Sequence, residues 1–558
     1  MNEKNKKILK WIGVYAVLTV VAFLVYYVTL PAINLRSEGF WIFLAFIFFL
    51  YTLPFSGLRV NTEILKQGEF KLHRAKRSKK AKWMLLAVLP LAVLIVGSIV
   101  SSTFFFARRY AAVIDVKEAV FAEDMPETEN VTNIALMDSD TAAIVGNRTL
   151  GSLSDVVSQF EIAPTYTQIN YRGTPQKVAN LEYAGFFKWL GNRENGIPGY
   201  VMVDPVGNTA EYNKLASTIR YAESGFFGDD LMRALRFKYP TKIMDTPRFE
   251  IDDEGNPIYV VPCYTPKVAL FGAKDVSEVI LFNPTDGTSE IYAVSETPSW
   301  IDIVYDGYLA TDKYNWKGTL SGGFFNSIIG NKDCKQTTDD FGYIVIGDDV
   351  WYFTGVTSVN SDRSNIGFII TNARTGEYKF YPVIGAEEHS AMSAAQGEVQ
   401  EKNYVASFPA LINVKGEATY IMVLKDQGGL VKLYAMVNVE QYNIVATGVT
   451  QEEAKAAYLA RLVTEGVLSP EDEPTPPAAE IETRTVTIGQ ITPVTTGGET
   501  YLYIVGKDSA TEEMLLLRAK IADLEEILFL MEGDHISFTL TKTETEKVYD
   551  IVSFVLPD

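Results

Sequence analysis

The run WIGVYAVLTVVAFLVYYVTLPAINL, residues 11–35, contains no charged side chain. In a helix rising 1.5 Å per residue, about 20 such residues cross a hydrocarbon core about 30 Å thick. Two further apolar runs follow, at 39–55 and 83–107. Lys4, Lys6, Lys7 and Lys10 ahead of the first run resemble the basic start of a signal peptide. The apolar stretch nevertheless exceeds a signal peptide's roughly 7–15 residues, and two more runs follow it, so the reading is an uncleaved anchor. The expectation is a transmembrane region over 1–110 with three helices.

Charge divides the chain at the same place. Residues 1–110 hold 16 Lys and Arg against 4 Asp and Glu, and the remainder holds 34 against 65, a net of −31. The segment 57–82 carries nine basic residues, Arg59 to Lys82, against Glu63 and Glu69. The positive-inside rule places such a loop and the basic N-terminus in the cytoplasm. The expected location is the plasma membrane, multi-pass, with the C-terminal part extracellular. An acidic outer part repels nucleic acid and anionic lipid, which excludes direct nucleic-acid binding.

Beyond the membrane region short strand patterns alternate with Gly, Asn, Asp and Pro turns, broken by helical stretches at 184–195, 229–239 and 387–402. The fold class expected is membrane-anchored α+β with antiparallel sheets. Three segments resemble one another: GYVMVDPVGNTAEYN at 199–213, EVILFNPTDGTSEIY at 278–292 and GFIITNARTGEYKFY at 367–381. A looser copy is YAMVNVEQYNIVA at 434–446. Gly and Asn tolerate the positive φ of tight hairpins, which is the physical content of the repeat. A second signal, a polar turn entering an aromatic-aliphatic strand, occurs at 253–265 and 414–425.

This grammar resembles the PepSY-domain family, small α+β modules of secreted and membrane-bound bacterial proteins. The likeness covers 250–292, 385–448 and, more loosely, 166–213. It implies tandem modules and a setting in protease propeptides, protease inhibition or cell-envelope regulation; no protease signature accompanies it here. The organisation read is a first extracytoplasmic α+β region at 111–248, a tandem PepSY-like region at 249–465, a Pro-rich acidic linker at 466–482 and a last domain at 483–558. That domain shows five strand patterns, at 483–492, 500–507, 514–521, 535–542 and 547–556, with a short helix at 524–531, and it resembles an OB-fold barrel.

Chemical signatures are sparse. Of the three His, His73 lies in the basic loop, leaving His389 and His535. No H-E-x-x-H, G-x-S-x-G or S-x-x-K occurs, so the sequence marks no zinc peptidase or serine hydrolase. His389 reads as a surface or capping residue. Cys263 and Cys334 either pair as an extracytoplasmic disulfide or lie as two separate buried thiols. The pairs Asp252-Asp253, Asp339-Asp340 and Asp348-Asp349 lack calcium-loop spacing and read as turn caps. Asp340-Phe341-Gly342 has no kinase context, and Gly322-Gly323 with Phe324, Phe325 and Gly330 lacks a phosphate-loop lysine and reads as a connector. The aromatic side chains mostly read as core, and an exposed aromatic patch would change that.

No catalytic, cofactor-binding or metal-binding residue is assigned. The function expected is a non-enzymatic binding or regulatory scaffold of the cell envelope, acting on proteins, peptides or wall polymers. The alternatives are a structural subunit of a larger membrane complex and an extracytoplasmic hydrolase with an unfamiliar carboxylate cleft.

Overall fold

A computed structural model describes residues 3–55, 83, 85–338, 340–359, 361–472, 481–496, 499–521, 524–542 and 548–555. The basic segment 57–82 with His73, Asp339 and most of the 466–482 linker lie outside the described residues. Two compact units result, Met1–Glu465 and Gly466–Asp558.

The first unit begins with apolar helices α1 (Glu3–Thr29), α2 (Glu38–Thr52), α3 (Val88–Val100) and α4 (Thr103–Ala111). Here the expectation of three membrane spans is corrected. Only α1, 27 residues long, is both long and apolar enough to cross a membrane, as an anchor or a signal sequence. The 15 residues of α2 extend about 22 Å at 1.5 Å per residue, short of a hydrocarbon core. The third run is bent by 55° between α3 and α4. Its break falls at Ser101, whose Oγ accepts hydrogen bonds from the Leu270 and Phe271 N–H groups at 3.1 Å while its carbonyl accepts from the Tyr110 hydroxyl at 2.7 Å. Hydropathy registers composition and not this competition for backbone groups.

The rest of the unit is richer in strands than an α+β balance implies. It holds four sheets of one strand order. The first is built from Thr167–Tyr171, Thr174–Tyr183, Ile197–Asp204 and Thr209–Ile219, the second from Arg248–Ile251, Pro257–Val268, Gly272–Phe282 and Ser289–Ala293. The third uses Gly342–Ile346, Asp349–Ser358, Ser361–Asn372 and Tyr378–Tyr381, the fourth Ala410–Val414, Glu417–Lys425, Val431–Asn438 and Val445–Gly448. In each, the second strand also pairs with a short strand from upstream, respectively Phe160–Ile162, Ile243–Met244, Lys335–Thr337 and Val405–Ala406. Val116–Glu118 extends the third sheet in parallel with Tyr378–Tyr381.

The four similar sequence segments occupy the third and fourth strands of these four sheets. Each hairpin opens on an Asp or Asn whose side chain caps the turn: Asp204 accepts from Val206 N, Asn283 from Thr285 N, Asn372 from Arg374 N and Thr375 N, and Asn438 from Gln441 N. Such Asx turns are set by local chemistry. The tighter connections at Arg172-Gly173 and Lys415-Gly416 have positive φ at both residues, as a two-residue type I′ hairpin requires. The first two sheets share one core that includes Val178, Val201, Phe249, Tyr259 and Ile280.

In the second unit Ile481–Thr496, Glu499–Asp508, Met514–Lys520, Val548–Val555 and His535–Lys542 close into a five-stranded barrel in that spatial order. Val486, Ile504, Leu517, Ile536 and Phe538 fill its interior. The helical element between the third and fourth strands in sequence is a 3₁₀ turn, Glu525–Phe529.

Candidate functional site

A cleft of ≈550 Å³ opens over the shared core of the first two sheets, and it collects five carboxylates. Glu161 and Glu182 come from the first sheet, Glu223 from the loop after it, Asp245 and Arg248 from the start of the second sheet, and Asp306 from the segment leading to the helix Gly307–Leu320. Pairing of Phe160–Ile162 with Thr174–Tyr183 sets Glu161 directly opposite Glu182. Like charges in that relation oppose sheet formation, so the register places them together against local preference.

Glu182 is buried, accepting from Ser224 N at 2.7 Å and from the Asn180 amide. Burial raises its carboxyl above the ordinary range, the Ser224 and Asn180 hydrogen bonds oppose that rise, and Glu161 adds to it. At the rim Glu223 is raised by partial desolvation, then by Glu182 and Asp230. Arg248 balances the other end. Its Nη2 donates to Asp306 Oδ2 at 3.0 Å and Asp245 Oδ2 at 3.3 Å, while its buried Nη1 has no protein partner. Asp245 Oδ2 also accepts from the Tyr264 hydroxyl at 2.5 Å.

Tyr259 lines the same cleft at 2% exposure, and its hydroxyl has no protein partner. Burial raises it well above the ordinary tyrosine range, with Glu182 and Glu223 adding to the shift. A buried polar atom without a partner is costly. Two such donors, Tyr259 Oη and Arg248 Nη1, lie in one acidic cleft. Beneath it Glu250, wholly buried, accepts from Asp302 N and Ile303 N at 3.0 Å, and Asp302 Oδ2 accepts from Asn170 N at 2.9 Å. Burial raises both acids, and these bonds lock the first two sheets to the 301–306 segment.

The residues singled out from sequence lie elsewhere. His389 is exposed, edge-on to Phe408 at 6.4 Å. His535, in the barrel, contacts Thr487 Oγ1 at 2.9 Å. Cys263 and Cys334 are free, each buried in its own surroundings. Of the acidic pairs, Asp252 caps Glu254 N and Asn256 N, Asp340 caps Phe341 N, Asp348 holds Asn170 across sheets and Asp349 holds Arg374. Among the described residues no three His, Cys, Asp or Glu are grouped closely enough to hold a metal ion. The cleft carboxylates carry no spacing motif; the one local signal was Glu161 and Glu182 on strands that pair.

No protein-family model matches this chain, and no curated protein matches it. Among solved structures, a GH32 beta-fructofuranosidase of Bombyx mori, BmSUC1, is 11% identical over 73% of this chain and 68% of its own. Its TM-score of 0.19 is too low to carry any argument about fold or activity.

Proposed function

We propose that this chain is a membrane-anchored binding module whose acidic cleft receives a cationic group, an ammonium or guanidinium, on a protein, peptide or wall polymer of the cell envelope. In this reading α1 is the anchor. Lys4, Lys6, Lys7 and Lys10 hold its start in the cytoplasm, and the two folded units lie on the other side. The PepSY-type hairpin grammar supports the envelope setting by resemblance.

The cleft is the observation that carries the reading. Five carboxylates face one arginine that is already engaged by two of them, leaving net negative charge in a partly desolvated space. A cation entering there regains strong charge-assisted hydrogen bonds. The carboxylates are too dispersed to hold a small ion and suit a larger organic cation. Calorimetric titration of the detergent-solubilised chain with oligolysine and oligoarginine tests it, with oligoglutamate as control. Binding that weakens with salt and falls at least about tenfold in Glu182→Gln/Asp245→Asn supports the reading. Equal affinity in that variant overturns it.

A second reading, hydrolysis, is favoured by one observation: Glu182 and Glu223 are both raised toward the range of a general acid. Cleavage products from cationic peptides or amino-sugar oligomers that vanish in Glu182→Gln would support it over simple binding.

A further inference from the structure

Two apolar tips project from the first unit, and each adjoins the end of an apolar helix. The first surrounds Trp189: Phe187 is 82% exposed and Phe227 59%, with Phe186, Leu190 and Phe226 beside them. Their rings contact one another, Phe186 against Phe226 at 5.0 Å and Trp189 against Phe227 at 5.7 Å. This tip is tied to α1 through Arg233, which lies 4.2 Å over the Tyr27 ring, donates to Tyr27 O at 3.3 Å and to Phe227 O at 2.6 Å. Arg236 donates to Leu30 O at 2.9 Å, and Ile33 N donates to Pro240 O at 2.7 Å. Phe227 is held at a φ of 53°, a costly backbone for an aromatic residue that keeps its ring outward.

The second tip is the single π turn Asn326–Gly330 with Phe325 before it. Ile329 is 80% exposed, Phe325 68% and Ile328 59%. It adjoins the bent α3–α4 pair: Phe104, itself half exposed, packs edge-on against Phe324 at 5.0 Å and Phe325 at 6.2 Å. Thus the Gly322–Phe325 stretch, which the sequence offers as a mere connector, delivers apolar side chains beside an apolar helix. Exposed apolar patches of this kind on an otherwise acidic body call for an occupant.

Charge around the tips favours one. Although the chain beyond residue 110 is strongly acidic, exposed basic side chains stand next to both tips, Arg193 stacked 5.9 Å from Trp189 at the first, and Arg108, Arg109 and Lys332 at the second. Aromatic and aliphatic side chains flanked by cations are the composition of an interfacial membrane contact.

We propose that the Phe186–Phe227 and Phe325–Ile329 tips insert into the lipid interface and seat the first unit on the bilayer that α1 anchors. The proposal rests on the anchoring reading above and goes beyond it: a chain tethered only by a helix would leave the body free to tumble, whereas two further contacts fix its orientation and the direction in which the cleft opens.

The test uses the full chain reconstituted into vesicles of phosphatidylcholine and phosphatidylglycerol, with single variants Phe187→Trp, Ile329→Trp and, at an exposed position away from the tips, Tyr442→Trp. Fluorescence quenching by lipids brominated near the headgroup end of the acyl chain is read relative to the parent chain. Quenching at least about twofold greater at 187 and 329 than at 442 supports insertion. Quenching no greater than at 442 overturns it, as does shielding of both tips by a second copy, seen as crosslinking between 187 positions without lipid quenching. Flotation of the same vesicles reports separately on the anchor: a chain that fails to float removes the anchoring reading itself, whereas one that floats with unquenched tips removes only this inference. Arg193→Glu/Lys332→Glu is expected to reduce quenching when phosphatidylglycerol is present and to change little in pure phosphatidylcholine.

Discussion

Replacing Glu388 by Gln should remove a pH dependence that the fold places on one buried proton. Glu388 opens the helix Glu388–Glu398, is wholly buried, and accepts from Gly355 N at 2.5 Å, tying that helix to the third sheet. Burial pushes its carboxyl from 4.5 up to about 7, against the pull of the backbone hydrogen bonds it accepts. Below about pH 4.5 the folded and unfolded chains both hold this proton. Between 4.5 and 7 the unfolded chain releases it first, so stability falls as pH rises; above 7 the loss is complete. At 1.36 kcal/mol for each pH unit of difference, the loss is about 3 kcal/mol. Glutamine presents the same oxygen to Gly355 without a titrating proton. Urea midpoints of wild type and Glu388→Gln, followed by tryptophan fluorescence from pH 4 to 8, isolate the effect, because every other titrating group cancels in the difference. The variant should gain on the wild type by up to about 3 kcal/mol across pH 4.5–7 and no further above it. A difference independent of pH, or one growing toward low pH, refutes the reasoning.

Other outcomes follow from the cleft and the core. Binding of oligoarginine should weaken on acidification at a higher pH than ordinary carboxylates allow, because Glu182 and Glu223 are raised; in Glu182→Gln the calorimetric midpoint should move to lower pH. Tyr259→Phe deletes a buried hydroxyl without a protein partner, so denaturation should show stability unchanged or higher by about 1 kcal/mol while cation affinity falls, whereas a structural tyrosine would lose stability. Lys313 is 3% exposed on its side chain and bonds Asp275 at 2.5 Å. Asp275→Asn strands that cation and should cost about 3–5 kcal/mol in chemical denaturation, with much of it recovered in Asp275→Leu/Lys313→Met.

Much of the local structure is legible in the residues. The helices expected at 184–195, 229–239 and 387–402 contain Phe186–Asn192, Leu231–Lys238 and Glu388–Glu398, because their apolar spacing and caps act within a few residues. Sequence reading passed over Ser139–Gly151, Gly307–Leu320 and Gln451–Thr464; the second buries Ala310, Lys313 and Tyr314 together, a mixed face that shows no clean periodicity. The count of spans failed for a related reason. Apolar composition at 83–107 is visible, but the decision of Ser101 to bond a distant turn is not.

By itself the sequence determined the apolar N-terminal helix, the split in charge near residue 110 and the Asx-capped hairpins, since each depends on neighbours along the chain and on solvent. The four sheets of common order, the bend at Ser101 and the cleft were decided only in three dimensions. Glu161, Glu182, Glu223, Asp245, Tyr259 and Asp306 belong to separate strands and loops, and their charges interact through space at a distance set by strand register and sheet packing. Carboxylates scattered along a line carry no sign of that until the backbone brings them to one desolvated opening.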